Sequence, residues 1–432
     1  MATADICQRV LGDFALWDLI TSFQAGLPWR VYDYYRAHRS VWDDSEVLLA
    51  CGALVGIAIA RDDQVMLEQI DALRKQSQYY QSLSVLSFDA ALDVAVTTGS
   101  VRAVEWLHNR FGSTVNECAD RLYLRDAAVE GHKDVVEWLA KHCEICEAKS
   151  LKPEHLDQVV TRGHHDVLEF LHSYRPDLFQ PQLLPVAAKA GDLSITQFLH
   201  EILSGSDHSS CVDAFHAAAG AGHLPVVEYF HTVCPAGCTT KAIDDAAAHG
   251  HLDVLTFLHE HRHEGCTRDA MDFAASHGHL DVVQFLHAHR QEGCTVYAMD
   301  SAAKHGHVDV VAFLHSHRSE GCSSWALAEA AEFGHLEVVA FLHQRRLGIT
   351  WENSALYRAA RDGHFPVVKY LCENISVGDR LFDALRGAKS SGRSQIVQYL
   401  SHQIQLLMER KDQEQREKLR RRKHAKGKKK HR

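Results

Sequence analysis

Residues 257–266 read FLHEHRHEGC, and within them His259, Glu260 and His263 spell H-E-x-x-H. On one helix that spacing sets two imidazoles a turn apart beside a carboxylate, the set with which hydrolytic enzymes hold zinc and activate water. Thiols add a second kind of chemistry. Cys143 and Cys146 form a C-x-x-C, and Cys238, Cys266, Cys294 and Cys322 recur at an interval of 28. Histidines recur at the same interval, in one row at His223, His251, His279, His307 and His335 and in another at His259, His287, His315 and His343.

The equivalent segments decide against a hydrolytic centre. Residues 287–291 read HAHRQ, 315–319 read HSHRS and 343–347 read HQRRL. The carboxylate position becomes Ala288, Ser316 and Gln344, and the second imidazole becomes Gln291, Ser319 and Leu347. Zinc catalysis needs both groups and a third ligand held in one place. The match is a chance one, at a point where a helix is running out. The histidine rows read as imidazoles that bond backbone or neighbours while a framework repeats. A metal shared along a row is the lesser reading, since packed helices lie about 8–10 Å apart. Thiols at that spacing exceed the ~7 Å Cα separation that a disulfide tolerates, so the rungs stay unbonded. The C-x-x-C lacks the second pair of a zinc site. No G-x-x-x-x-G-K loop, G-x-S-x-G elbow or complete G-x-G-x-x-G is present. No catalytic residue, cofactor, metal or small-molecule substrate is expected.

What carries these residues is a repeat. AASHGHLDVVQFLHAHRQEGCT is followed by AAKHGHVDVVAFLHSHRSEGCS, and the marker glycines Gly222, Gly250, Gly278, Gly306 and Gly334 are 28 apart. Looser copies centre on Gly99, Gly131, Gly163, Gly191, Gly363 and Gly392, and a degenerate one puts Asp62 in the glycine's place. About twelve units span residues 45–403. In each, a small pair such as Ala274-Ala275 lets backbones pack closely, and the glycine ends the helix in a left-handed conformation. A second helix follows with Val282, Val283, Phe285 and Leu286 at helical spacing on its buried side. Neither helix buries its apolar face alone, so neighbouring units must stack.

The pattern of a small pair, two variable residues, Gly-His, a branched pair and a final apolar pair resembles the ankyrin repeat family. Here it stands as Ala274-Ala275-Ser276-His277-Gly278-His279, Val282-Val283 and Phe285-Leu286. The resemblance implies an all-α solenoid of helix-turn-helix repeats. Two departures matter: Ala270-Met271-Asp272 replaces the family's T-P-L-H, and the period is 28 rather than about 33. The missing residues fall where the family has its projecting β-hairpin, so the fingers are expected to be short or absent.

The resemblance also implies a concave binding face built by the first helices, above all by the two residues between the small pair and the glycine. Those residues vary while the framework does not: Glu130, Arg162, His249, His277, Lys304 with His305, Glu332 with Phe333, and Asp362. Arg268, Tyr297 and Trp325 come just ahead of the first helices, and an aromatic there has the character of a binding anchor. The expected function is a non-enzymatic scaffold holding another protein.

Charge divides the chain. Residues 410–432 hold thirteen Lys/Arg and three Asp/Glu, net +10, while the remainder carries 33 basic and 53 acidic groups, net −20. An acidic body disfavours nucleic acid. The basic tail, residues 404–432, is expected to begin as helix and continue disordered. Its clusters Arg420-Arg421-Arg422-Lys423 and Lys426 with Lys428-Lys429-Lys430 read as a nuclear-import signal, with nucleic-acid contact a lesser role. No apolar run reaches the ~20 residues that cross a bilayer, and the start is no secretory signal. The expected place is the cell interior, cytoplasm and nucleus. Residues 1–44 do not fit the repeat; Leu11, Phe14, Leu19 and Phe23 suggest a helical cap for the stack. A faint similarity to the helical start of an F-box makes a ubiquitin-ligase substrate adaptor the alternative.

Overall fold

The computed structural model describes residues 53–76, 88, 91–117, 123–142, 151–203, 208–234, 238–345, 347, 354–375 and 378–430. Residues 1–44 and the Cys143–Cys146 pair lie outside them. Among the described residues there are 24 α-helices and no strand, so the all-α solenoid is confirmed and no β-hairpin finger is present there.

The helices form pairs within two units, residues 1–207 and 208–432. The first unit holds α1 (Ala53–Ala60) with α2 (Gln64–Gln76), α3 (Ala91–Thr98) with α4 (Val101–Glu117), and α5 (Tyr123–Glu130) with α6 (Lys133–His142). It continues with α7 (Pro153–Thr161) and α8 (His165–Tyr174), then α9 (Leu183–Ala190) and α10 (Leu193–Leu203). The second holds α11 (His208–Ala221) with α12 (Leu224–Val233), α13 (Thr240–Ala248) with α14 (Leu252–His261), and α15 (Arg268–His277) with α16 (Leu280–His289). After them come α17 (Val296–His305) with α18 (Val308–His317), α19 (Trp325–Glu332) with α20 (Leu336–Arg345), α21 (Ser354–Asp362) with α22 (Phe365–Asn374), and α23 (Arg380–Ser390) with α24 (Ser394–Lys430). Within each unit odd helices pack on odd helices, and each on the even helix of its own pair. α24 carries the chain from the last pair through the basic clusters, across the boundary expected at 404.

The core is the part the repeat spells out. Ala274, Ala275, Ala302, Ala303, Ala330 and Ala331 are fully buried, as are Val282, Val283, Val310 and Val311. The expectation for Phe285 and Phe313 needs correction: both are only half-buried, because they lie at the outer edge of the even-helix layer among histidines.

Two polar ladders fix the stacking. In the first, a Gly-His imidazole bonds the carbonyl two residues before the preceding repeat's marker glycine. His132 Nε2 lies 2.8 Å from the Thr97 carbonyl oxygen and His164 Nε2 3.1 Å from that of Val129. The same contact runs from His251 to Gly220, His279 to Ala248 and His307 to Ser276. So this row bonds backbone, as the sequence suggested. The degenerate unit obeys the same rule, with Asp62 at φ 57°, the one described non-glycine residue with positive φ.

The second ladder was hidden in Ala270-Met271-Asp272. Asp272 accepts the Thr295 backbone N–H at 2.8 Å and its hydroxyl at 2.6 Å. Asp244 does the same for Thr267, and Asp300 for Ser323. Each threonine in turn caps its own helix, its Oγ1 accepting from Asp269 N–H or Tyr297 N–H at 3.1 Å. At these three steps an aspartate locks one odd helix to the start of the next.

Candidate functional site

The hydroxyl caps set the position of the exposed aromatics. Thr295 Oγ1 accepts from Tyr297 N–H and Ser323 Oγ from Trp325 N–H, each at 3.1 Å, so the two aromatics occupy one position of the repeat. They stand inside the first turn of α17 and α19 rather than ahead of them. Arg268 is corrected by one place. The cap of Thr267 on Asp269 makes Asp269 the equivalent of Tyr297, and Arg268 the equivalent of Val296.

Tyr297 and Trp325 are half-exposed, at 50% and 55%, and Phe333 at the end of α19 is 50% exposed. Each ring has a partner. Phe273 meets Tyr297 edge-on at 6.3 Å, Arg358 lies over Trp325 at 5.3 Å and Lys304 lies over Phe333 at 5.5 Å. Phe273, itself 40% exposed, and Arg358 were missed in the sequence. They share the position just before the small pair, which reads Asp245, Phe273, Ser301, Glu329 and Arg358 along the unit. A position of changing polarity with one aromatic was the available signal.

The variable pairs meet from repeat to repeat. Ser276 hydroxyl lies 3.3 Å from His305 Nδ1, while Glu332 accepts from Arg358 and, at 2.8 Å, from Arg361. Arg361 also grips Asp362 at 2.8 Å and holds that carboxyl below its usual range. His249 and His277 are exposed, each with Nδ1 at 2.9 Å from a carbonyl of its own helix, Asp245 and Phe273. Their rings stack on the Gly-His imidazoles His251 and His279, which burial, aided by these neighbours, pushes below the usual histidine value. In the second unit Arg268, His277, Tyr297, Lys304, His305, Trp325, Glu332 and Asp362 lie on the odd helices, and His249 and Phe333 cap the ends of α13 and α19. Glu130 and Arg162 lie in the first unit, where they pair with each other at 2.8 Å.

The chemistry-bearing residues fall elsewhere. α14 ends at His261, and Arg262 is extended at φ −127° and ψ 153°, so His263 leaves the helix and the H-E-x-x-H spacing loses its common face. The thiols of Cys238, Cys266 and Cys294 are buried, which pushes them up to about 11, and all described cysteines are free. At pH 7 such thiols are protonated and poor nucleophiles. Arg290 and Glu292 close over Cys266, with the Cys266 N–H 3.4 Å from Glu292 Oε1.

The second histidine row, extended back to His231, faces aromatic rings of the next repeat. His231, His259 and His287 stand edge-on to Phe257, Phe285 and Phe313 of the next repeat, each at 5.5 Å. Each of those phenylalanines also carries a histidine one turn on, His261 at 4.4 Å, His289 at 4.6 Å and His317 at 4.3 Å. In the following repeat Arg345 takes that place, 5.8 Å over Phe341.

Side chains of residues 421–432 are not described, so of the import-like set only Arg420 is placed, exposed on α24. No helix among the described residues is long and apolar enough to cross a membrane.

Family models for ankyrin repeats match residues 243–287 in the form described as many copies. The form described as three copies matches residues 271–350 and 327–410. No curated protein matches the chain.

Proposed function

Because residues 243–410 are ankyrin repeats, a protein–protein interaction module, we propose that the chain is a non-enzymatic scaffold that takes a partner protein on the odd helices of its second unit. The observation that carries this reading is the set Tyr297, Trp325 and Phe333, three large aromatics half-exposed on consecutive odd helices or their ends. Core packing does not require them, since Asp269 stands at the equivalent of Tyr297 and the alanine pairs fill the interior. Aromatic and arginine side chains of this kind carry most of the energy at protein interfaces. Arg358 and Lys304 pre-order two of the rings, which lowers the entropy lost on binding. Arg268, His249, His277, His305, Glu332 and Asp362 form a polar rim, and Glu130 with Arg162 a separate charged point on the first unit. The chain works inside the cell, with nucleic acid touched only through the basic end of α24.

The test is capture by the full-length protein in its source cell, read by proximity labelling. The double variant Trp325→Ala/Phe333→Ala loses the main captured proteins while its circular dichroism stays that of the wild type. Unchanged capture rejects this location. Loss of ligase subunits on deletion of residues 1–44, with other capture intact, points instead to an adaptor.

A further inference from the structure

Three pairs of imidazoles bridge successive repeats of the second unit. Ring centroids of His231 and His261 are 5.9 Å apart, those of His259 and His289 5.5 Å, and those of His287 and His317 5.6 Å. The pairing joins helix positions two residues apart in successive repeats and does not run along either histidine row of the sequence.

In two of the three pairs the nitrogens of the second ring are pre-assigned. Nδ1 of His261 lies 3.0 Å from the Phe257 carbonyl oxygen, and Nδ1 of His317 3.0 Å from that of Phe313. A carbonyl only accepts, so in the neutral ring Nδ1 holds the proton and Nε2 keeps its lone pair. Metal-binding histidines are typically held in this way, one nitrogen donating to a carbonyl and the other free to ligate. In His231, His259 and His287, Nδ1 is buried with no hydrogen-bond partner among the described residues. Burial closes that nitrogen to any ligand, which leaves Nε2 as the one for coordination. Two imidazoles on one tetrahedral ion, with metal–nitrogen bonds of about 2.0–2.1 Å, set their ring centres roughly 5–6 Å apart.

We propose that His231/His261, His259/His289 and His287/His317 are three repeated bis-imidazole sites for a divalent transition-metal ion of the zinc class, each joining two successive repeats. Water completes the coordination, and imidazole selects zinc, copper or nickel over magnesium or calcium. The series stops after three because Arg345, a fixed cation, occupies the place of the second imidazole opposite His315. An ion held by two repeats is held only while they are docked, so binding stabilises the stack.

The experiment titrates purified full-length protein with Zn2+ against a chromophoric chelator and follows Tm in parallel. Wild type binds three more equivalents than His261→Gln/His289→Gln/His317→Gln, and its Zn2+-dependent rise in Tm exceeds that of the variant. All three rings are exposed, so the variant folds. Each single change removes one equivalent, whereas His263→Gln and His315→Gln remove none. Equal stoichiometry in wild type and triple variant overturns the proposal. So does an equal loss on changing His263 or His315.

Discussion

The imidazole of His307 fills the space in which a side chain on Gly278 would begin: its Nδ1 lies 2.5 Å from where a Cβ on Gly278 would stand. Gly278 also holds φ +82°. One glycine therefore ends an odd helix and admits the ring that pins the next repeat. Gly278→Ala is expected to cost more than the ~1–2 kcal/mol of left-handed strain alone. Gly321→Ala, at φ +71° with nothing within 4 Å, isolates that strain. Urea unfolding of the two variants measures the difference, and equal losses would deny the ring a role.

The aspartate ladder gives a sharper case. Asp272→Ala leaves the part-buried N–H and hydroxyl of Thr295 without their acceptor, an expected loss of about 1 kcal/mol. Burial raises the Asp272 pKa, so the protonated form is favoured in the fold and stability contributed there is lost as pH rises through the raised value. Asp272→Asn should accordingly cost less than Asp272→Ala at pH 7. Thermal unfolding of both at that pH decides it.

Acid acts in two windows. Burial lowers the pKa of His251, His279, His307 and His335, so their contribution is present above about 6.5 and lost as pH falls below it. The hydrogen bond from Arg318 holds the Glu320 carboxyl at about 2, so its contribution persists until pH drops from about 4.5 towards 2. Tm against pH should fall first on the histidine side. His279→Gln flattens only the upper step and Glu320→Gln only the lower.

Depth of burial ranks the phenylalanines. Phe230 is fully buried, and Phe230→Ala is expected to cost about 3–5 kcal/mol. Half-buried Phe285 should cost less, because truncation there leaves a gap that solvent and His259 can fill. Chemical denaturation of the two variants side by side checks the order.

The basic end of α24 is tested apart from the repeats. Residues 406–432 fused to a reporter should concentrate it in the nucleus, and replacing Arg420–Lys423 by alanine should abolish that. A uniformly cytoplasmic reporter would reject an import signal.

Period and polarity alone determined the paired helices, their number and the alanine and valine core, because burial repeats at fixed intervals and leaves its mark on every copy. They also exposed the H-E-x-x-H as unrepeated. Tertiary structure decided what crosses from one repeat to the next: Asp272 on Thr295, His307 against Gly278, Arg358 over Trp325 and the imidazole pairs. Such partners are 23 to 33 residues apart in the sequence and meet only when one pair of helices has docked on another. Their pairing depends on rotamer and depth, which a string of letters does not record. Phe285 shows the limit, since helical spacing gave its face but not the histidines that hold it at the rim.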